Sequence, residues 1–178
     1  MDFFNKSEQS ILLNAENIIV GFSGGVDSTL VLAATNQFLE AHNKKNCLTA
    51  LHVNHQTQSD SSSWEMHCEK FCKEHNINFL CKSVEIKESG QGYEAAARSA
   101  RLDIFNAFDK ATVIILGHHL DDQVETVFFR VLRGTGLKGL TGMQRHLKIK
   151  DKDFIRPLLH LTKEEIFKQA IEYKLSFI

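Results

Sequence analysis

Short apolar segments alternate along this chain with longer segments of helical periodicity, and this alternation constrains the fold more than any other feature. Parallel strands need long crossovers, which helices of about a dozen residues supply. The pattern therefore predicts an α/β fold with an open, doubly wound parallel sheet covered by helices on both faces. The predicted strands are residues 17–22, 48–53, 78–84 and 111–117, and the predicted helices are residues 27–41, 62–75, 93–108 and 121–132.

The loop between the first predicted strand and helix reads Ser-Gly-Gly-Val-Asp-Ser. Its glycines let the backbone approach an anion, and the N–H groups at a helix start favour negative charge. The aspartate would repel phosphate unless a cation, most simply Mg²⁺, bridged the two. The loop lacks the lysine of a Walker loop and the spacing of a dinucleotide fingerprint. We predict a nucleotide phosphate site at Ser23, Gly24, Gly25, Val26, Asp27 and Ser28, with Asp27 as the Mg²⁺ ligand.

Composition narrows the class of protein. The 178 residues carry 21 Lys and Arg against 22 Asp and Glu, so no overall basic field indicates nucleic acid binding. No apolar segment approaches the roughly 20 residues that cross a bilayer, and no secretory signal is evident. We expect a cytoplasmic protein with no membrane partner. Cys68 and Cys72 lie one helical turn apart, but ordinary reduced thiols are the better prediction than a metal site.

A second polar cluster follows the fourth predicted strand. Asp122 and Glu125 are three residues apart at the start of a predicted helix, and His118 precedes Asp122 by four, so the three could converge. In open α/β sheets, ligands bind at the carboxyl ends of strands. Two carboxylates there would suit a cationic substrate. A divalent-metal hydrolase, or acidic residues that merely favour a helix N-terminus, would also fit.

Three further segments offer candidate binding residues. Arg98 and Arg101 lie three apart on one predicted helix, a spacing that by itself is typical of a solvated face. Val53 ends the second strand, where it could contact a nucleotide base. Residues 133–143 contain four glycines and could contact phosphate or an RNA backbone. The candidates in that segment are Arg133, Gly134, Gly136 and Lys138.

These motifs together resemble a known family. The S-G-G-x-D-S loop is similar to the pyrophosphate loop of the N-type ATP pyrophosphatases, which cleave ATP between its α and β phosphates. Within that superfamily the chain resembles the tRNA(Ile)-lysidine synthetases. The resemblance covers residues 18–159 and rests, besides the loop, on residues 51–55, 94–101, 117–126, 133–143 and 155–159.

The resemblance implies an adenine nucleotide alpha hydrolase-like fold with three layers. It implies ATP and Mg²⁺ as cofactors. The partners it implies are free L-lysine and an isoleucine tRNA with a wobble cytidine. ATP would adenylate the C2 oxygen of that cytidine, and lysine would displace AMP to form lysidine. It also implies that Asp122 and Glu125 bind lysine, and that Arg101 and residues 133–138 contact ATP or tRNA. The catalytic residues it implies are Asp27, Arg98, His118, Asp122 and Glu125.

Two alternatives stay open. A tRNA thiolation enzyme of the same superfamily would need an activating cysteine or an iron–sulfur site, and a non-catalytic adenine-nucleotide-binding module would leave ATP intact. The pattern weakens after residue 142, so we expect a nucleotide-binding core at residues 14–142 and the start of a following segment at residues 143–178. Full-length members of the family continue into a domain that grips the tRNA. We therefore expect a truncated chain, which would be inactive alone if it lacks that domain.

Overall fold

The computed structural model describes residues 1, 3–54, 61–84, 93–109, 111–134 and 141–178. In these residues every predicted strand and helix is found within a few residues of its expected bounds. The helices are α1 Lys6–Asn14, α2 Val26–Ala41, α3 Ser61–Glu74, α4 Tyr93–Asn106, α5 Leu120–Leu132 and α6 Lys163–Glu172, with a short 3₁₀ turn at Lys45–Cys47. The strands are β1 Ile18–Gly21, β2 Leu48–Asn54, β3 Asn78–Ser83, β4 Val113–Ile115, β5 His146–Ile149 and β6 Lys152–Ile155.

The described strands form one sheet in the order β3-β2-β1-β4-β6-β5. The pairs β1–β2, β1–β4, β2–β3 and β4–β6 are parallel, which confirms the predicted α/β class. Strand β5 departs from the expected parallel arrangement, because it is antiparallel to β6. Only Lys150 and Asp151 separate these two strands, and so short a connection can join only antiparallel neighbours. The strand order reverses between β1 and β4, where such sheets bind ligands.

Helices cover both faces of the sheet. Successive side chains of a strand point to opposite sides, so neighbouring residues of β1 pack against different helices. Ile18 and Val20 of β1 belong to a core cluster that also contains buried residues of α2, α3 and α6. Ile19 belongs to a second cluster, on the other face, with Phe105 of α4. Within the described residues no helix is long and apolar enough to cross a membrane.

Residues beyond 142 belong to the same sheet as the predicted core. Strand β6 lies directly beside β4, and α6 buries Ile166 and Ala170 in the cluster that contains α2. Thr162 caps α6, since its side chain accepts a hydrogen bond from the N–H of Glu165. The expected boundary at residue 142 therefore does not coincide with an edge of the sheet.

Helix α1, which sequence periodicity did not predict, is held by a buried ion pair. Glu8 is 1% exposed, and its carboxylate accepts hydrogen bonds from Arg145 Nε at 2.7 Å and Nη2 at 3.0 Å. Arg145 precedes β5 and also donates to the carbonyl of Phe3. The pair therefore fastens the amino-terminal helix to the hairpin of β5 and β6.

Candidate functional site

The predicted phosphate loop connects β1 to α2 at the point where the strand order reverses. Gly25 is the N-cap of α2 and has no side chain to occupy the first N–H groups of the helix. Ser28 Oγ donates to the carbonyl of Gly25 at 3.0 Å and lies 3.1 Å from Ser23 Oγ. Gly24 has a φ of +88°, a conformation that favours glycine. The loop is thus held open around the amino end of a helix, as an anion site requires.

The end of β4 presses against this loop. A Cβ atom at Gly117 would lie 3.1 Å from the carbonyl carbon and oxygen of Asp27 and 3.2 Å from the nitrogen of Ser28. These are backbone atoms, which cannot move aside as a flexible side chain can. Glycine at position 117 therefore allows the fourth strand to reach the first turn of α2, and so brings His118 beside the loop.

A cavity of about 610 Å³ opens at the carboxyl ends of the strands, within the roughly 300–1,000 Å³ typical of ligand sites. Apolar side chains such as Leu51, Phe105 and Phe154 line one part of it, and the phosphate loop lines another. A ligand with a flat base and an anionic tail would match both parts. The predicted site residues that line the cavity are Ser23, Gly25, Asp27, Ser28, Val53, Arg101 and His118.

Sequence reasoning missed several residues that line the cavity. Trp64 lies on α3, Phe154 on β6, and Arg156 directly after β6. Arg156 is buried, and its Nη1 donates to the carbonyl of Gln144 at 2.8 Å. Arg156 lies in one of the segments that carry the resemblance, which gave it no role at the site, and the strand order brings Phe154 and Arg156 to the cavity by placing β6 beside β4.

The second polar cluster surrounds the imidazole of His119, the N-cap residue of α5. The ring is buried, and its Nε2 lies 3.6 Å from Asp122 Oδ2 and 3.8 Å from Asp27 Oδ1. Its Nδ1 lies 3.4 Å from Asp121 Oδ2. Three carboxylates from two helices therefore face one histidine ring, and Asp27 joins this cluster to the cavity.

The carboxylates of this cluster also accept backbone hydrogen bonds. Asp122 Oδ2 accepts from the N–H of His119 at 2.9 Å and so caps its own helix. Asp121 Oδ2 accepts from the N–H of Lys163 at 2.8 Å, which ties the start of α5 to the start of α6. Glu125 is exposed, one turn further along α5. Of the predicted pair, Asp122 is therefore fixed by the fold, and Glu125 faces solvent.

Asp27 is the residue whose surroundings best fit a metal ion. Its Oδ1 is buried and lacks a hydrogen-bond partner among the described residues. Burial raises the pKa of Asp27 above its ordinary value, and His119 and Lys163 partly offset this while Asp122 adds to it. Mg²⁺ prefers such oxygen ligands and usually needs only one or two carboxylates when phosphates supply the rest. The residues present therefore fit Mg²⁺ bound together with a nucleotide.

The glycine-rich segment after α5 is described only at its ends. Arg133 and Gly134 are exposed, with Gly134 at a φ of +69°. At the other end, the side chain of Gln123 donates to the carbonyl of Met143 at 2.9 Å and accepts its N–H at 2.5 Å. Arg130 donates to the carbonyl of Gly142 at 2.9 Å. Helix α5 therefore anchors both ends of this segment. Gly136, Lys138 and the side chain of Arg98 lie outside the described residues.

The cysteines near the loop are buried thiols. Cys68 Sγ lies 3.1 Å from the position that a Cβ atom at Gly24 would take. Burial raises the pKa of Cys68 and of Cys72 to about 12, and that of Cys81 to about 11. Within the described residues, His, Cys, Asp and Glu form no group of three or more that could hold a metal ion.

Comparison with known proteins places this site in a family. The profile of the PP-loop domain matches residues 2–178, the whole chain but its first residue. The chain belongs to the PP-loop family. The loop at residues 23–28 and the cavity beside it therefore lie within the matched region.

Two curated relatives are named tRNA(Ile)-lysidine synthase. The protein of Francisella philomiragia is 35% identical over 165 residues, covering 91% of this chain and 40% of its own length. The protein of Legionella pneumophila strain Lens is 37% identical over 164 residues, covering 92% of this chain and 37% of its own length. The PP-loop chain thus spans about two fifths of the curated relatives that it matches.

Solved structures share the fold at lower identity. A U34-tRNA thiolase from Methanococcus maripaludis with a [4Fe-4S] cluster has a TM-score of 0.67 at 20% identity, covering 97% of this chain and 64% of that one. A glutamine-dependent NAD⁺ synthetase from Acinetobacter baumannii in complex with ADP has a TM-score of 0.57 at 13% identity, covering 93% of this chain and 30% of that one. Both confirm the expected fold class.

Proposed function

We propose that this PP-loop chain is the ATP-binding part of a tRNA(Ile)-lysidine synthase. One observation carries the proposal. Asp27 lines the cavity beside the phosphate loop and also belongs to the cluster of carboxylates around His119. An anionic nucleotide and a cationic amine could meet at such a junction. The 35% and 37% identity to curated proteins of that name, over about nine tenths of the chain, supports this choice.

ATP would lie with its phosphates on the loop at residues 23–28 and its base against the apolar part of the cavity. Val53 lines that cavity at the end of β2 and would contact the adenine. The backbone N–H groups at the start of α2 would hold the β and γ phosphates. Mg²⁺, bound by Asp27 and the phosphates, would neutralise part of their negative charge.

In the first reaction the C2 oxygen of the wobble cytidine attacks the α-phosphorus of ATP. The bond between the α-phosphorus and the bridging oxygen breaks, and pyrophosphate leaves with that electron pair. His118 lines the cavity beside the loop and would donate to the phosphates as charge develops. The resemblance assigns Arg98 to the activated intermediate. Arg101, which lines the cavity, would contact ATP or the tRNA. Positioning and charge stabilisation would supply most of the catalysis.

In the second reaction the unprotonated ε-amine of lysine attacks C2 of the adenylated cytidine. The C2–O bond breaks, AMP leaves with its oxygen, and the new amine loses a proton. Asp122 and Glu125 would bind the lysine; Asp122 is already oriented by the N–H of His119. Arg133, Gly134, Gly136 and Lys138 would contact the tRNA or ATP. The use of ATP and tRNA makes the cytoplasm the proposed location.

A tRNA thiolation enzyme is less well supported. It would need a reactive thiol or an iron–sulfur site in the cavity. Cys68 and Cys72 are instead fully buried, and their raised pKa values leave almost no thiolate at neutral pH. The thiolase neighbour shares the fold at 20% identity, which does not distinguish the two reactions.

The test is an assay with ATP labelled in its α-phosphate, Mg²⁺, lysine and an isoleucine tRNA with a wobble cytidine. We expect labelled AMP only when the tRNA is present, and lysidine only when lysine is added. Intact ATP under saturating conditions, both with this chain and with a longer chain that carries the carboxyl-terminal part, would refute the proposal. Turnover that required a sulfur donor in place of lysine would assign the chain to thiolation.

Two variants and a control would locate the lysine site. Asp122→Asn and Glu125→Gln should each raise the KM for lysine at least about tenfold, because a charge-assisted contact is lost. Glu172→Gln, at the exposed end of α6, should leave it unchanged. An unchanged KM for lysine in both site variants would remove the proposed lysine contacts.

A further inference from the structure

The imidazole of His119 lies between two subsites that the proposed reaction uses separately. Asp27 belongs to the phosphate loop of α2, and Asp122 belongs to the first turn of α5. Both carboxylates approach the same ring nitrogen, Nε2, at 3.8 and 3.6 Å. His118, the neighbouring residue, lines the cavity, whereas the ring of His119 is buried behind it with 7% of the residue exposed.

The fold constrains this ring from several directions. The backbone N–H of His119, the N-cap residue of α5, donates to the carboxylate of Asp122. Asp122 therefore caps α5 and also lies beside the ring of His119. Nδ1 faces Asp121, which is fixed by the N–H of Lys163 at the start of α6. The ring is therefore in contact with groups anchored to three helices, and it has little freedom to turn away.

The two carboxylates would repel each other without a group between them. Asp27 and Asp122 interact unfavourably, while His119 interacts favourably with Asp27. A polar ring between them allows both to serve as acceptors, one toward a nucleotide-bound cation and the other toward an amine.

We propose that His119 is a positioning residue that couples the nucleotide subsite at Asp27 to the amine subsite at Asp122. The role of the second subsite rests on the proposed function. His119 acts through the two carboxylates and contacts no reacting atom. Replacing it should disturb both subsites, although it is not among the residues that line the cavity.

The test is a double-mutant cycle on nucleotide binding. The Kd for ATP in the presence of Mg²⁺ is measured by titration calorimetry for the unmodified chain, His119→Gln, Asp122→Asn and the double variant. We expect the effect of Asp122→Asn on this Kd to change at least about fivefold when His119 is replaced, which is in the range for residues in contact. Effects that multiply independently to within about twofold would overturn the proposal.

Glutamine keeps an amide that can still donate to one carboxylate, so His119→Gln should fold even if His119→Ala does not. Melting temperatures are recorded for each variant, because a purely structural role would lower stability without coupling the two substitutions. His42→Ala is the matched control, since His42 is exposed and its ring contacts Phe38 away from the site. This control should leave the Kd for ATP unchanged.

A kinetic measurement extends the test to the second subsite. His119→Gln should raise the KM for lysine and the KM for ATP together, each at least about threefold, and His119→Ala should raise both further. A change in only one KM would overturn the coupling. Absence of lysine-dependent AMP formation by a longer chain that carries the carboxyl-terminal part would refute the proposed function, whereas the binding cycle would still decide the role of His119.

Discussion

Replacing Gly24 with alanine should weaken both the fold and the nucleotide site. Gly24 has a φ of +88°, where a residue with a side chain is strained by about 1–3 kcal/mol. The added Cβ would also lie 2.8 Å from Ile178 Cδ1 and 3.1 Å from Cys68 Sγ. The side chain of Ile178 can move away, so the backbone strain at position 24 contributes more to the loss than this close contact does. We expect a loss of about 2 kcal/mol, or roughly 4–8 °C in melting temperature for a domain of this size.

The same change should raise the Kd for ATP, since relief of the strain would rotate the loop that presents the N–H groups of α2. Thermal unfolding and titration calorimetry measure the two effects. Gly25→Ser is the matched control for the melting temperature alone, because Gly25 has a φ of −69° and a Cβ there would be 3.6 Å from Ser23 Oγ. Serine also favours an N-cap. If Gly24→Ala melted within about 1 °C of the unmodified chain and bound ATP equally well, the proposed loop conformation would be wrong.

Three further changes test other features. Asp27→Asn should abolish Mg²⁺-dependent ATP binding but raise the melting temperature of the nucleotide-free chain at pH 7. Burial raises the pKa of Asp27 above 3.8, so its ionised form destabilises the fold only where the carboxyl is charged. The gain in melting temperature should therefore vanish below about pH 4, as thermal melts at a series of pH values would show. Arg145→Ala should lower the free energy of unfolding in urea by about 3 kcal/mol, because the Glu8 carboxylate stays buried without its partner. Cys68 and Cys72 should resist iodoacetamide at pH 8 until the chain is unfolded, as mass spectrometry would show, because burial raises the pKa of each to about 12.

Each of these has an outcome that would contradict it. A gain in stability from Asp27→Asn that persisted in acid would exclude the ionised carboxylate as its cause. Lys45→Ala is the control for Arg145→Ala, because it removes the partner of the exposed Glu40 and should lower the free energy of unfolding by less than about 0.5 kcal/mol. A loss for Arg145→Ala no larger than that of this control would refute the stabilising role of the pair of Glu8 and Arg145. Labelling of the native thiols as fast as in urea would show that they are accessible.

Much of the sheet could be predicted from the sequence, because β1 and β4 at its centre are largely buried and continuously apolar. Strands β1 to β4 and helices α2 to α5 carry clear periodicity, and the structure confirms them. Strands β5 and β6 have four residues each, and β5 is mostly exposed, so neither has a strong pattern. Helix α1 carries the capping box of Asn5 and Glu8, a local signal that apolar periodicity does not show. Its ion pair joins Glu8 to Arg145, 137 positions away. Local sequence cannot reveal such a contact.

The candidate site was predictable where its residues come from a single loop. The loop at residues 23–28 and His118 lie at the cavity as strand-end reasoning expects. The sequence could not distinguish the roles of the polar residues in 118–125. Their spacing places several polar side chains near one another but does not show which of them accept hydrogen bonds from backbone N–H groups. Asp121 and Asp122 both accept backbone N–H groups, and His119 lies between them and Asp27.

The contact between Gly24 and Ile178 has a consequence for how the chain folds. The N–H of Ile178 donates to the carbonyl of Gly24 at 2.9 Å, and Ile178 lines the cavity together with Ser23 and Gly25, more than 150 positions earlier in the chain. Contacts of such long range form late, because closing long loops costs entropy before the contact can stabilise them. On the ribosome, a nascent chain would have its phosphate loop well before it could close the cavity around a nucleotide.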